Sequence, residues 1–257
     1  KISKYYVEKL LNVKVKKMMN VGNHEVDKSI LEILPQVDKE TLFVITDVSP
    51  SPKVAELINE RVEEGCTILL FDHHKTALFL NKYNWANVVV ADEAGRLMCG
   101  TNLYFEYLMK HAPVEESSYV QLLAEIVELT RSYDTWDWFN VEPKNIQAKH
   151  LNTLYWKKGA IEFHNWIIER LDTLSAAGLK FELDALSQYI VDSEDERLER
   201  YANKKNKSMQ IRSFENYTFG IITVEEFHSE IGNILALNNP ELDFIAMVDM
   251  DAKSDTN

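Results

Sequence analysis

The chain has 257 residues, 46% of them hydrophobic, and it carries 41 acidic against 28 basic residues, for a formal net charge of −13. This is enough apolar sequence for one large or two medium domains with a true core, whereas the acidic surface argues against long duplex nucleic acid, which needs basic residues to neutralise its phosphates. Two cysteines exclude a disulfide framework and favour a cytoplasmic location, and no apolar stretch approaches the ~18 residues of a membrane span.

Segments that favour helix and strand alternate through the N-terminal half. In chain order, the apolar spacing predicts a helix over residues 2–11, a β-like stretch over 13–21, a helix over 27–34 with Asp27 as its N-cap, a strand over 41–47, a helix from Ser51 to Glu64, a strand over 67–71 and a strand-like run over 87–91. This alternation predicts right-handed βαβ units and a parallel sheet flanked by helices.

The C-terminal half is helical before the alternation returns. Helical patterns cover residues 101–109, 120–133, 161–174 and 182–206, and they precede a strand over 217–224, a helix over 225–237 and a strand over 244–249. Residues 193–207 are almost wholly polar, which indicates an exposed connecting helix. We therefore predict an α/β fold with a main domain over 1–190, a helical linker over 191–210 and a smaller, partial α/β domain over 211–257.

Acidic and imidazole side chains follow two neighbouring predicted strands. Asp47 ends the strand over 41–47, and Asp72, His73 and His74 follow the strand over 67–71. Ligands of parallel α/β sheets bind at the carboxyl ends of strands, and carboxylate oxygen with imidazole nitrogen suits Mn, Zn or Fe. The sequence therefore predicts a metal site at this edge of the sheet.

Four short segments occur in order along the chain: Ile45-Thr46-Asp47, Phe71-Asp72-His73-His74-Lys75, Gly100-Thr101-Asn102-Leu103-Tyr104 and Tyr133-Asp134-Thr135-Trp136. This ordered set resembles the DHH phosphoesterase family, and the resemblance covers nearly the whole chain. Two later segments, Leu151-Asn152-Thr153-Leu154 and Ser229-Glu230-Ile231-Gly232-Asn233, are similar to its branch of nanoRNase-type bacterial oligoribonucleases.

The resemblance implies a pair of Mn²⁺ ions at the carboxyl edge of the sheet. Asp47 would bridge both ions, and His73 and Asp134 would ligate one of them. Two further residues beside the metal would be catalytic. His74 would contact the substrate phosphate, and Asp72 would orient the histidines.

The resemblance also implies a substrate-binding role for the second, DHHA1-like domain. Its candidate contacts are His228, Ser229, Gly232 and Asn233, and the helix over 225–237 could receive a phosphate at its N-terminal end.

Each of these roles has a plainer alternative. Asp47 could cap the helix that begins near Pro52, and Asp134 could cap a loop while the nearby Asp137 replaces it as a ligand. His74 could ligate metal rather than contact substrate. Trp136, Trp138, Trp156 and Trp166 could stack nucleobases, although tryptophans more often pack helices together.

Two family segments do not occur within these residues. One is the first motif, of the type His-x-Asp-x-Asp-Gly, which supplies most ligands of one metal, and the other is the C-terminal Gly-rich segment that binds substrate. Without the first motif we expect no complete two-metal site, although Asp47, His73 and Asp134 could still hold one ion.

The resemblance implies a Mn-dependent phosphoesterase that hydrolyses short oligonucleotides or small nucleotide phosphoesters by a two-metal mechanism. The reaction would take place in the cleft between the two domains, and the protein could be a homodimer. Other substrates of this class are 3′-phosphoadenosine-type nucleotides, cyclic dinucleotides and polyphosphate. The alternative from another class is a non-catalytic nucleotide-binding or regulatory protein derived from the same fold.

Overall fold

The structure is a computed structural model that describes residues 6–248. It divides between Glu182 and Leu183 into two compact units. Within the described residues, none of the helices combines the length and the apolar character needed to cross a bilayer.

The first unit is built on a parallel three-stranded sheet in the order β1-β2-β3, as the sequence predicts. Its strands are β1 (Leu42–Thr46), β2 (Thr67–Asp72) and β3 (Ala86–Val88). Ile68 and Leu70 are buried on one face of β2, and Ile45 of β1 is buried beside them. The sheet is therefore apolar enough to be covered by helices.

Helices surround this sheet in the first unit. They are α1 (Val26–Ile33), α2 (Pro52–Glu63), α3 (Gly100–His111), α4 (Ser118–Asp134), α5 (Asp137–Asn140) and α6 (Ile146–Ala177), with shorter 3₁₀ turns at Asn23–Glu25, Leu34–Gln36 and Lys75–Lys82 and a π-helix at Tyr6–Leu10. The bounds of α2 follow from its sequence, because Pro52 occupies the first turn and Gly65 follows its end with a φ of 98°.

A second apolar layer forms where α4 packs along α6. Leu123 and Ile126 of α4 and Leu154 and Leu171 of α6 are almost completely buried. Helix α6 is bent at Gly159, whose φ of 72° and ψ of 166° are not helical. Because such backbone angles are open essentially to glycine alone, the position of the bend is encoded by this residue.

The second unit is a smaller α/β structure with a mixed sheet. It contains α7 (Ala185–Ser208), β4 (Gln210–Phe214), β5 (Tyr217–Thr223), α8 (His228–Asn238) and β6 (Phe244–Val248). Strand β5 lies in the centre, antiparallel to β4 and parallel to β6. Its core consists of Leu198, Ala202, Ile222, Val224, Ile231 and Leu235. The predicted fold class, a helix-flanked parallel sheet followed by a smaller α/β part, is confirmed.

Two expectations about local structure are wrong. Residues 13–21 form no strand, because among the described residues no other strand pairs with them, and Val13, Met18 and Met19 are exposed. Asp27 is not an N-cap, since α1 begins at Val26 after Glu25, and its carboxylate instead accepts the backbone N–H of Ser51 at 2.8 Å.

Other differences concern the extent of elements. Strand β4 (Gln210–Phe214) lies between the predicted helix over 182–206 and the predicted strand over 217–224, where the sequence predicts no element. The strand-like run over 87–91 is reduced to Ala86–Val88. The helix over 2–11 and the end of the strand over 244–249 lie partly outside the described residues.

Candidate metal centre

The adjacent strands β1 and β2 bring Asp47 and the Asp72-His73-His74 segment to one edge of the sheet. Thr46 is paired with Phe71, and the backbone N–H of Asp47 donates to the carbonyl of Phe71 at 2.9 Å, which continues the strand pairing by one residue. Asp47 then takes a left-handed backbone conformation, with φ of 65°. A sharp turn at this point keeps its carboxylate at the sheet edge rather than along the next loop.

His73 lies between two carboxylates. Its Nε2 atom is 3.3 Å from Oδ1 of Asp47 and 3.1 Å from Oδ2 of Asp134, the last residue of α4. The hydrogen bond to Asp134 and then that to Asp47 raise the pKa of His73 to about 10, against the opposing effect of partial burial. Burial raises the pKa of Asp47, but the hydrogen bond and charge of His73 outweigh it, so that this pKa is lowered.

Asp72 is completely buried and acts as an acceptor for its neighbours. Its carboxylate accepts the backbone N–H of His73 at 2.7 Å, Nδ1 of His74 at 2.6 Å and the hydroxyl of Ser49. These hydrogen bonds fix the orientation of the His74 ring and of the Ser49 hydroxyl relative to Asp72. The bond to Nδ1 of His74 selects the tautomer that leaves the lone pair of the neutral ring on Nε2.

Gly100 is the first residue of α3 and touches Asp47 closely. A Cβ atom at Gly100 would lie 2.6 Å from the backbone nitrogen of Asp47, and the Gly100 N–H donates to Oδ1 of Asp47 at 3.3 Å. The side-chain oxygen of Asn102 accepts the N–H of Cys99 at 2.6 Å and so fixes the start of α3. Burial raises the pKa of Cys99 to about 12, which keeps this thiol protonated and makes it a poor ligand.

The donor set fits a divalent metal ion. Among residues 6–248, one group of side chains could hold a metal ion: Asp47, Asp72, His73 and His74. Each offers one ligand atom, and these atoms lie within 4.8 Å of one another. A protonated His73 balances Asp47 and Asp134, and a cation would supply the same balance when His73 binds it as a neutral ligand. Carboxylate and imidazole donors suit Mn, Fe or Zn.

The geometry also bears on the alternatives for these residues. Helix α2 has Ser51, not Asp47, at its N-cap position. Asp137 is held by Arg131 at 2.6 Å, so its carboxylate is engaged in an ion pair, whereas the carboxylate of Asp134 contacts His73. Arg131 is buried and also pairs with Glu128 at 2.6 Å, which makes it an ion-pair partner within the fold rather than an available phosphate ligand.

The candidate substrate-binding residues lie in the second unit, on α8. His228 and Ser229 lie in its first turn, while Gly232 and Asn233 are partly buried one turn later. The structure thus brings Asp47, Asp72, His73, His74 and Asp134 together in the first unit, and the four residues of α8 form a separate set.

Two contacts of the centre are not foreseeable from the sequence pattern. Ser49 follows Asp47 by two residues in a loop, and nothing in the residue pattern indicates its bond to Asp72. The close approach of Gly100 to Asp47 has a weak signal, since a glycine at the start of a helix can mark tight packing.

Comparison with known proteins identifies relatives of the chain. No protein-family model matches it. Over 223 residues, or 87% of this chain, the sequence is 36% identical to oligoribonuclease NrnB of Bacillus subtilis (strain 168), and the match covers 54% of that protein. Over 124 residues, or 44% of this chain, it is 26% identical to a 3′,5′-cyclic-nucleotide phosphodiesterase of Helicobacter pylori, of which 34% is covered.

The chain thus spans about half the length, or less, of the curated relatives that it matches. A crystal structure of an uncharacterized protein from Helicobacter pylori G27 aligns with 90% of this chain and 74% of that one, with a TM-score of 0.42 and 17% identity. A TM-score of this size adds nothing to the assignment. The sequence similarity to an oligoribonuclease, found over most of the chain, confirms the resemblance of this protein to the DHH phosphoesterases of the nanoRNase branch.

Proposed function

We propose that this protein is a Mn²⁺-dependent phosphoesterase that hydrolyses short oligonucleotides or small nucleotide phosphoesters. The observation that carries the proposal is the placement of His73 between Asp47 and Asp134, beside the buried Asp72, at the carboxyl edge of the sheet. The similarity to an oligoribonuclease and to a cyclic-nucleotide phosphodiesterase supports the substrate class.

In this proposal Asp47, His73 and Asp134 would hold one ion, and Asp47 would also be a ligand of a second. A pair of such ions, when bound, supplies positive charge for the phosphoryl oxygens and lowers the pKa of a water. Asp47 and Asp134 would contribute the negative charge that retains the metal, and His73 would have to release its proton to act as a ligand. Further ligands would come from a first motif of the His-x-Asp-x-Asp-Gly type.

His74 and Asp72 have different tasks in the same proposal. The side chain of His74 is about half exposed, and its Nδ1 is fixed on Asp72, so Nε2 is the atom that can meet a phosphoryl oxygen or a metal ion. Asp72 orients this ring without contacting substrate itself. His228, Ser229, Gly232 and Asn233 of α8 are the proposed substrate contacts of the second unit, with His228 and Ser229 at the helix N-terminus, where backbone N–H groups favour phosphate.

The test compares Asp47→Asn with the wild type in the full-length protein. After removal of metal with EDTA, Mn²⁺ is added back and hydrolysis of a dinucleotide, a cyclic nucleotide and polyphosphate is measured. We expect the substitution to lower dinucleotide hydrolysis by about 100-fold or more, since even groups that only orient a metal ligand account for about 10- to 100-fold. Asp192→Asn, at an exposed position of α7, is the matched control.

Full activity of Asp47→Asn would contradict the proposal. A wild-type protein that binds the dinucleotide but hydrolyses none of the three substrates with Mn²⁺ would favour the non-catalytic nucleotide-binding alternative.

A further inference from the structure

Aromatic side chains follow Asp134 directly in the chain. Trp136 comes two residues after Asp134, and its backbone N–H donates to the carbonyl of Tyr133 at 3.1 Å, so the chain turns back against the end of α4. Two residues span at most about 7 Å. The backbone of Trp136 therefore lies within the length of one side chain of Asp134, one of the two carboxylates on His73.

The backbone of Trp136 is in a conformation that bulky residues rarely adopt. Its φ is 61° and its ψ is 9°, in the left-handed region, at the N-cap of the short helix α5. Glycine is the residue that fits this region without strain. Strained positions of this kind cluster at binding and active sites, where the side chain has a use that offsets the backbone conformation.

Other rings hold Trp136 in place. Its ring centroid lies 5.8 Å from that of Trp138 at an interplanar angle of 32°, and 6.3 Å from that of Phe139 at 88°. Trp138 is buried and stacks on Tyr133 at 6.0 Å, while Trp136 itself is partly exposed. A partly exposed indole supported from below by a buried one is an ordered surface that needs little rearrangement to accept a flat ligand.

One cation lies on this aromatic cluster. The Nζ atom of Lys144 is 4.3 Å from the ring centroid of Phe139. Aromatic rings on which bases stack, next to a cation that can meet a phosphate, are the combination that binds single-stranded nucleotides without sequence preference. Stacking is also suited to a protein with a net charge of −13, because it does not depend on a positive surface.

We propose that Trp136 stacks on a nucleobase of the substrate, next to the metal centre, and so makes the site specific for phosphodiesters that carry a base. This inference rests on the proposed function and narrows it, because it favours nucleotides over polyphosphate as substrates.

The test measures binding separately from hydrolysis. The full-length protein, stripped of metal with EDTA, is titrated with a dinucleoside monophosphate and with its analogue that carries tetrahydrofuran abasic sugars. We expect Trp136→Gly, which suits the positive φ, to weaken binding of the dinucleoside about tenfold, as for loss of one stacked base. Trp136→Phe keeps a ring and should stay within about twofold of the wild type, and the abasic analogue should bind all forms alike.

Two further variants keep the test decisive. Trp136→Leu retains apolar bulk without a stacking ring, and it replaces Trp136→Gly if that variant does not fold. Tyr189→Ala removes an aromatic ring that is 70% exposed on α7 and should leave both affinities unchanged. With Mn²⁺ present, the KM for the dinucleoside should rise in Trp136→Leu, with kcat/KM for the abasic analogue unaltered.

Equal loss of affinity for the two ligands, or no loss for the dinucleoside, would overturn the inference. Failure of the proposed function is distinct from this result. If the proposed function is wrong, the wild-type protein will not hydrolyse the dinucleoside with Mn²⁺. The titration without metal would still show whether binding depends on the base and on Trp136.

Discussion

Gly100 and Asp47 approach each other so closely that no side chain fits between them. A Cβ at Gly100 would lie 2.6, 2.9 and 2.9 Å from three atoms of Asp47, two of them backbone. At such distances the strand end or the helix would have to move. Gly100 can therefore pack against Asp47, and so fix its position, only because glycine has no side chain.

We expect Gly100→Ala to destabilise the protein by about 1–3 kcal/mol, the usual range for an overpacked site, and to weaken Mn²⁺ binding about tenfold by displacing Asp47. Urea unfolding and calorimetric titration of metal would measure the two effects. Gly22→Ala is the matched control, because Gly22 has a φ of −75° and a methyl group added there would meet no atom within 4 Å. Equal stability of both variants would show that the contact is unimportant.

At the scale of elements, an ion pair ties α7 to the end of β5 in the second unit. The ammonium of Lys205, which is largely buried, lies 2.5 Å from Glu225 and donates to the carbonyl of Thr223 at 2.6 Å. Tyr201, one turn earlier on α7, donates its hydroxyl to the same carboxylate at 2.5 Å. The hydrogen bonds from Lys205 and then Tyr201 lower the pKa of Glu225 to about 2, from an ordinary value of 4.5.

This pKa shift predicts a pH-dependent stability. A carboxylate with a lowered pKa in the folded state stabilises the protein above its ordinary pKa, and the contribution is lost as the pH falls from 4.5 towards 2. We expect Glu225→Gln to lower the thermal midpoint at pH 7 and to approach the wild type at pH 3. Glu199→Gln, an exposed position on α7, should show no such trend. A difference between wild type and Glu225→Gln that is constant with pH would refute this account.

Elements can be predicted from the sequence where burial decides them. The strands of the first sheet have continuous apolar runs, so the predicted strands agree within a residue or two with β1 (Leu42–Thr46) and β2 (Thr67–Asp72). Strand β4 has every residue exposed, so neither an apolar run nor a burial contrast marks it, and it forms because β5 lies beside it. Residues 13–21 show the reverse, since they alternate like a strand but find no partner strand in the described part of the chain.

The candidate centre is predictable to a similar degree. Asp47, His73 and Asp134 can be named from motif order, and their mutual distances follow from strand pairing and from the end of α4. The contacts of Ser49 and Gly100 cannot be assigned in this way, because they depend on how a loop and a helix from different parts of the chain approach the sheet edge. Long-range packing of this kind leaves little trace in local sequence.

At the scale of the whole molecule, the net charge of −13 sets how the protein meets an anionic substrate. A protein that binds nucleic acid through a basic surface loses affinity steeply as salt rises. Here salt screens the repulsion between the negatively charged protein and the negatively charged substrate. We therefore expect the affinity of the metal-free protein for a dinucleotide to stay level or to rise between about 50 and 300 mM KCl. Over this range the Debye length shortens by more than half. Equilibrium titration would measure this, and a steep loss of affinity with salt would instead reveal a basic binding surface.

The pairing of β1 with β2 has a consequence for the evolution of the centre. Neighbouring parallel strands lie about 4.8 Å apart, and Asp47 follows Thr46 just as Asp72 follows Phe71, which is the partner of Thr46. The pairing of the two strands therefore sets the distance between the backbones of Asp47 and Asp72, whatever side chains these two positions carry. Single substitutions can exchange the ligands and thereby the preferred metal. An additional residue inserted after Thr46 would instead shift Asp47 by about 3.3 Å along the strand relative to Asp72.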